Sequence, residues 1–417
     1  MNSAELTLVS YDTDDKITTP HEDKPCRNLK PHSTSFDSIP DHLLVDVMSD
    51  FLDGSIRDSC RVAQVCRSWN YAISDKSFWE QRLCSDFGND QMLYHPQFRD
   101  RSDSVSTEAS DFHPREIYGA THTLEQRFTS GVFQSRSRIY HKGAVTCVVM
   151  AEDQVVVGDS KGIISIYDSQ IQAPPSGPTR IVSSSPITAL TINNRILLSG
   201  HSSGGITVWD SPASGHFLQV HEASSRISGM AVSDSTLLTA STVDGSVRAT
   251  DLHTENEIFV RRFSPDGPPN AITALAPNLL FTGCRNNRAV VVDARSDSRT
   301  DSLSITLSDW CLCVEGSPDP NLVRMSDKAV HLFDLRRVDQ SIESRHSSHR
   351  LISRFKSDGA LRLVSCGLDG QVKVSALKSN QITCIHSSED YILSLDFSRT
   401  TLCCGGMNGK LEQYDFN

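Results

Sequence analysis

The sequence predicts a mainly β protein: a seven-bladed β-propeller preceded by a small α-helical motif. Three observations predict it. A pattern of apolar stretches recurs with a period near 41 residues from residue 141 to the end. The span that carries it, residues 132–417, is 286 residues long, about seven periods. Ahead of it, residues 36–84 space their apolar positions as helices do.

The repeat comes first because it decides the fold. Each unit has an apolar stretch, a polar gap, a second apolar stretch closing in small residues, a tight turn, and a third stretch ending in an aromatic-Asp pair or similar. The units are 144–169, 186–211, 226–252, 271–295 and 310–336, with two degraded copies at 351–377 and 391–416. The terminal aspartates Asp168, Asp210, Asp251, Asp293 and Asp334 lie 42, 41, 42 and 41 residues apart. The next step lands on Ala376, and Asp415 follows two periods after Asp334. β-Branched and aromatic enrichment between turn residues reads as short strands. A lone blade buries neither face, so blades must stack, and a ring of them leaves only short edges.

The closure of the ring is also predicted. Each unit needs a fourth, outer strand, such as TRIVSS at 179–184. The last unit ends at Asn417 with no residues left for one, whereas residues 131–140 precede the first unit without a blade of their own. They are expected to supply that outer strand, within a propeller of 131–417.

These residues resemble the WD-repeat family. Trp209-Asp210 is its literal signature pair, and Tyr167-Asp168, Phe333-Asp334 and Tyr414-Asp415 are aromatic variants. Asp244-Gly245 and Asp369-Gly370 match its tight turn, with Asn408-Gly409 close to it. The family's buried His–Ser/Thr–Asp–Trp hydrogen-bond network is not expected to be complete in any blade, which implies a less regular ring.

Residues 1–35 are polar, interrupted by Pro20, Pro25 and Pro31, and are expected to form a disordered tail. At residue 36 the character changes. Leu44, Val47, Met48, Phe51 and Leu52 share one helical face, Pro40 and Asp41 suit a helix start, and Gly54 suits its end. Further helical runs pass through Ile56, Cys60 and Ala63 and on to Trp69. This stretch resembles the F-box, through Ile39-Pro40, Leu43-Leu44, the run Val65-Cys66-Arg67-Ser68-Trp69, and Phe78-Trp79 downstream. The plain alternative is a helical bundle whose Trp69 fills a core. The resemblance implies binding to a Skp-type adaptor and, through it, a cullin scaffold. It assigns the interface to Ile39, Pro40, Leu43, Leu44, Val47, Met48, Leu52, Val65, Cys66 and Trp69. Residues 85–113 read as a flexible linker and 114–130 as a helical lead-in. In the resembling proteins a rigid lead-in holds the target's lysines near the conjugating enzyme.

Composition limits the function. Hydrophobic residues are 38% and charged residues 22%, as in globular domains. No apolar run approaches the roughly 18 residues of a membrane span. The twelve cysteines show no metal-ligand spacing, and the start of the chain lacks the pattern of a secretory signal. A reducing compartment is expected, cytoplasmic and/or nuclear. Residues 1–110 hold 19 Asp and Glu against 11 Lys and Arg, and the remainder 32 against 29. No basic stripe for nucleic acid is present, and no partner nucleic acid or membrane is expected.

A target protein is expected on the face that carries the turns between second and third strands and the links between blades. Lys142, Lys161, Arg226, Arg285, Arg288, Lys328 and Arg350 reach that face by topology, Arg285 and Arg288 from one turn. Arginine pairs with phosphate through two parallel N–H groups, so a phosphorylated target is one reading and scattered, solvated turn charges the other. His346 and His349 are expected in a polar surface loop. GDSKG at 158–162 lacks the length and ending of a phosphate loop. No catalytic arrangement stands out, no cofactor is expected, and a non-catalytic receptor subunit of a ubiquitin ligase follows from the resemblance. Two alternatives stay open: a receptor of a different cullin ligase, recruited through the Asp-x-Arg endings Asp334-Leu335-Arg336 and Asp293-Ala294-Arg295, and a non-degradative scaffold.

Overall fold

The computed structural model describes residues 74–87 and, apart from short loop segments, residues 114–417. The expected tail at 1–35, the expected helices of 36–73 and the linker expected at 88–113 lie outside the described residues, and with them every position from Ile39 to Trp69 that the resemblance assigned to an adaptor.

Seven four-stranded antiparallel sheets follow one another along the chain. Blade 1 spans 145–182, blade 2 187–222, blade 3 227–262, blade 4 269–306, blade 5 314–345 and blade 6 352–387. Blade 7 takes three strands from 392–415, and its outer strand is Ser135–Tyr140. That strand runs antiparallel to Lys410–Asp415, with Ser135 opposite Asp415 and Tyr140 opposite Lys410. It begins at Ser135 rather than at residue 131, because Gly131 ends a helix instead (below). Blades 6 and 7, whose sequences depart most from the repeat, are fully four-stranded. Blade 5, which keeps the aromatic-Asp ending, has inner and outer strands of only three residues each.

Burial follows from stacking. A strand alternates its side chains between two faces, and the second strand of a blade has a neighbouring blade on both. Val155, Val156 and Val157 of blade 1, like Leu402, Cys403 and Cys404 of blade 7, are each at most 1% exposed. The outer strand Glu257–Arg262 instead alternates exposed and half-buried positions.

The inner strands are stitched together at nearly the repeat spacing. Thr146 donates to the carbonyl of Ile187 (2.8 Å), Ser228 to that of Pro269 (2.8 Å), Cys313 to that of Phe355 (3.5 Å) and Ser353 to that of Ile392 (2.5 Å). Ser394 of the last blade donates to Val145 of the first (3.4 Å), and the Asp396 carboxylate accepts from the Met150 N–H (2.8 Å).

The turns between second and third strands repeat as well. Gly162, Gly204, Gly245, Asn287, Gly370 and Gly409 all have positive φ, a region that favours glycine because it has no Cβ. Space imposes the same choice. A Cβ on Gly162 would lie 2.6 Å from the carbonyl oxygen of Ser183 and 2.8 Å from that of Ser185. The link to the next blade is therefore laid directly against the turn. Blade 5 has Ala329 at this place, without positive φ.

At the seam, Arg136 and Arg138 of the closing strand donate to Glu412 (2.6 and 2.9 Å). Glu412 is 2% exposed and also takes hydrogen bonds from Tyr414 and Lys410. Burial alone would raise its pKa, but the bonds from His386, Lys410, Tyr414 and Arg136 outweigh it and hold the carboxyl well below the usual range.

Among the described residues, two helices precede the ring. Helix α1 (Lys76–Phe87) is capped by Asp75, whose carboxylate accepts from the Ser77 N–H (2.9 Å). It runs three residues past 84, so 85–87 are helical rather than linker. Helix α2 (Pro114–Ser130) starts on proline and ends in Gly131. There the N–H groups of Gly131 and Val132 bond back to Phe128 and Arg127 (3.2 and 2.9 Å), the two bonds of a Schellman motif.

Candidate functional site

The two rims of the ring differ. One carries the hairpin turns between inner and second strands, and there α2 crosses blades 6 and 7. Phe128, fully buried, stacks on Phe416 with ring centroids 3.8 Å apart. The guanidinium of Arg362, a residue only 3% exposed, lies 3.9 Å from the Phe128 ring centroid and donates to Glu125 of α2 (2.8 Å) and to the carbonyl of Arg399 (2.7 Å). Arg399 donates to Thr121 (2.9 Å) and Arg127 to the carbonyl of Phe416 (3.2 Å). Burial, with Arg362 nearby, pushes the Arg399 pKa down to about 10. Helix α1 packs on α2 through Tyr118, whose ring meets Trp79 and Phe87 at 5.3 Å and whose hydroxyl donates to Asp86 (2.8 Å). Burial and that bond push the phenol up to about 12.

The opposite rim carries the glycine turns and the links between blades. It holds the seven cations that topology assigned to it. Lys161, Arg226, Lys328 and Arg350 are exposed there, from blade 1, the loop before blade 3, blade 5 and the loop before blade 6; Lys142 is exposed before blade 1. Arg285 and Arg288 stand on one turn of blade 4 but part company. Arg288 reaches outward to Ser304 on the outer strand (2.7 Å). Arg285 turns to the inner strand, where its Nε donates to Asn270 Oδ1 (3.0 Å) and its guanidinium lies 5.6 Å from the Trp310 ring. Their shared turn does not converge them into a clamp, because Arg285 lies in the turn, past the end of the second strand at Cys284, while Arg288 is the first residue of the third strand. Lys328 is paired with Asp309 (3.3 Å). Trp310, 47% exposed, and Met407 and Tyr391 are apolar groups on the same rim.

His349 corrects the sequence reading. It lies in the loop before blade 6 but is buried, 4% exposed: it bonds Asp369 in the blade 6 turn (3.0 Å) and Ser365 on the second strand (2.9 Å). Burial first lowers its pKa, against the pull of Asp369. In blade 2 the Trp209 indole donates to Ser199 (3.0 Å), which also meets His201 (3.2 Å). In blade 5 Asp327 accepts from Ser308 (2.6 Å) and pairs with His331 (2.8 Å). Three blades thus tie a turn or a strand to a link by buried polar bonds, each with a different set of residues. The spacing His349, Ser365, Asp369-Gly370 was the available signal for the first.

Sequence reasoning missed a third feature. The inner strands of all seven blades enclose a central cavity of 320 Å³, one wall of which carries Glu315, Arg354, Lys356 and Asp396. Glu315 accepts from the Ser357 N–H (3.0 Å), and Lys356 pairs with Asp396. Desolvation pushes the Glu315 pKa up to about 7. At the end of the blade 5 third strand, Arg336 is clasped by its own Asp334 (2.8 Å) and exposed on the helix-side rim; Arg295 lies outside the described residues.

Comparisons with known proteins address the same regions. Residues 36–85 match the F-box-like family, and residues 122–266, from within α2 through blade 3, match the Vps8 β-propeller family. No curated protein matches. Among solved structures the chain is similar to the computationally designed Ika8 protein, with a TM-score of 0.52 and 17% identity, over 66% of this chain and 97% of that one. At that identity the likeness concerns the ring alone. The chain joins an F-box-like segment to a seven-bladed β-propeller.

Proposed function

We propose that this chain is the substrate-recognition subunit of a Skp-cullin-F-box type ubiquitin ligase. The observation that carries the reading is the order of parts: an F-box-like segment, then a propeller on which the intervening helix is fixed. The F-box-like segment takes the Skp-type adaptor through Ile39, Pro40, Leu43, Leu44, Val47, Met48, Leu52, Val65, Cys66 and Trp69. The target protein takes the glycine-turn rim, which α2 leaves open. Chemistry belongs to the conjugating enzyme, and this chain contributes proximity. It acts in the cytoplasm, the nucleus or both.

We read the ring as a WD-repeat ring. The His349–Asp369–Ser365 set and the Ser199–Trp209 bond support that reading. Recovery of the Skp adaptor with its cullin on purification, abolished by Leu43→Asp combined with Trp69→Ala, is the expected result. Cullin recovery that survives this pair and fails on Arg336→Ala would move the chain to a different cullin ligase. Recovery of no cullin in either case would make it a scaffold.

A further inference from the structure

The blade 4–blade 5 corner of the glycine-turn rim contains an arginine that is held but not used. Asn270 begins the inner strand of blade 4 and is 7% exposed. Its Oδ1 accepts the Arg285 Nε–H (3.0 Å), while its Nδ2 has no hydrogen-bond partner. A buried donor left without an acceptor is costly, so this arrangement is not a neutral filling of space. The Trp310 ring lies 5.6 Å from the same guanidinium. Asn270 and Trp310 together fix the plane of Arg285, and its Nη edge makes no hydrogen bond among the described residues.

An oriented Nη pair fits one planar oxyanion through two parallel N–H···O bonds. The local charge chooses which. Lys328 is paired with Asp309, beside Trp310, and Arg288 is turned away to Ser304. One uncompensated positive charge remains, which matches a carboxylate and not a phosphate dianion. Trp310, half exposed beside it, offers an apolar face to whatever adjoins the oxyanion. Just below, Ala271, Ile272, Cys313 and Val314 line the mouth of the central cavity.

We propose that Arg285, positioned by Asn270 and flanked by Trp310, binds a peptide carboxylate next to an apolar residue of the target. The inference rests on the target-binding rim assigned above and names the chemistry recognised there. The carboxylate belongs either to a chain end or to an aspartate or glutamate, and the experiment separates them.

The full-length protein is panned against three sets of random dodecapeptides: free C-terminal acids, the same set amidated, and an amidated set carrying phosphoserine but no Asp or Glu. Selected peptides are then titrated by fluorescence anisotropy. Enrichment from the free acids that is lost on amidation identifies a chain end, and Asp- or Glu-dependent enrichment that survives amidation identifies a side chain. In either case Arg285→Ala should weaken binding about tenfold or more. Arg285→Lys should recover only part of it, because the ammonium cannot pair bidentately. Trp310→Ala should weaken binding by a smaller factor, and Arg288→Ala should leave it unchanged. Melting temperatures of all four variants establish that they fold. Selection of phosphoserine peptides only, equal loss in Arg285→Ala and Arg288→Ala, or no enrichment from any set would overturn the proposal. The selection does not require the adaptor, so its failure and a failed adaptor pull-down are separate results.

Discussion

The two rims of this ring are built on one repeat, yet they end in opposite states. On the helix side Arg362, Arg399 and Arg127 each donate to a partner on α2 or the ring. Arg362 is wedged between Glu125, the Arg399 carbonyl and the Phe128 ring. On the glycine-turn side, the Nη edge of Arg285 makes no hydrogen bond among the described residues and stands beside an exposed tryptophan. The contrast teaches that the two rims are told apart by what their arginines are bonded to, not by charge count.

Four substitutions break or sharpen this contrast. The largest effect should come from Arg362→Ala, which removes one partner of a buried pair and uncovers Phe128. We expect a loss of about 3–5 kcal/mol in urea unfolding, together with release of α2, read as rapid amide exchange at Thr121 to Thr129. Next is Glu315→Gln, near the helix-side ends of the inner strands. The folded carboxyl titrates at about 7, above its ordinary value of 4.5. The stability that comes from its protonation is complete below pH 4.5 and is lost as pH rises through 7. The amide keeps an acceptor for Ser357 and does not ionise. The variant should therefore gain on the order of 3 kcal/mol over the parent at pH 8, with the gain vanishing toward pH 4.5. Gly370→Ala, on the other rim, forces a Cβ toward the Ser388 and Asp390 carbonyls at a φ of +72°. A cost of about 1–3 kcal/mol is expected, with a lowered Tm. Arg285→Ala should be smallest, within about 0.5 kcal/mol. A larger loss would show that the Arg285–Asn270 pair supports the blade and is not held for a ligand.

Much of this was legible along the chain. The aspartate ruler from Asp168 to Asp334 predicted blades, their number and their outer strands, because a stacked sheet repeats one hydrogen-bonding problem at one spacing. Gly245, Gly370 and Gly409 marked turns for the same reason. The candidate site was legible only in part. Topology placed Arg226, Arg285, Lys328 and Arg350 on one rim, since strand direction alone fixes which loops share it. It did not reveal that Arg288 leaves for Ser304, because a side chain's aim depends on the neighbour that accepts its proton. His349 was misread as an exposed loop residue, since its burial comes from Ser365 and Asp369 folding over it.

The amino-acid order by itself determined what is periodic and local: strand pattern, turn glycines, helix caps and the helical spacing of residues 36–84. Only the tertiary structure decided what distant residues do to each other. Glu125 and Arg362, or Arg136 and Glu412, stand 237 and 276 positions apart. No local rule relates such pairs, because closing the ring is what brings them within hydrogen-bond distance and removes the water that would otherwise satisfy them.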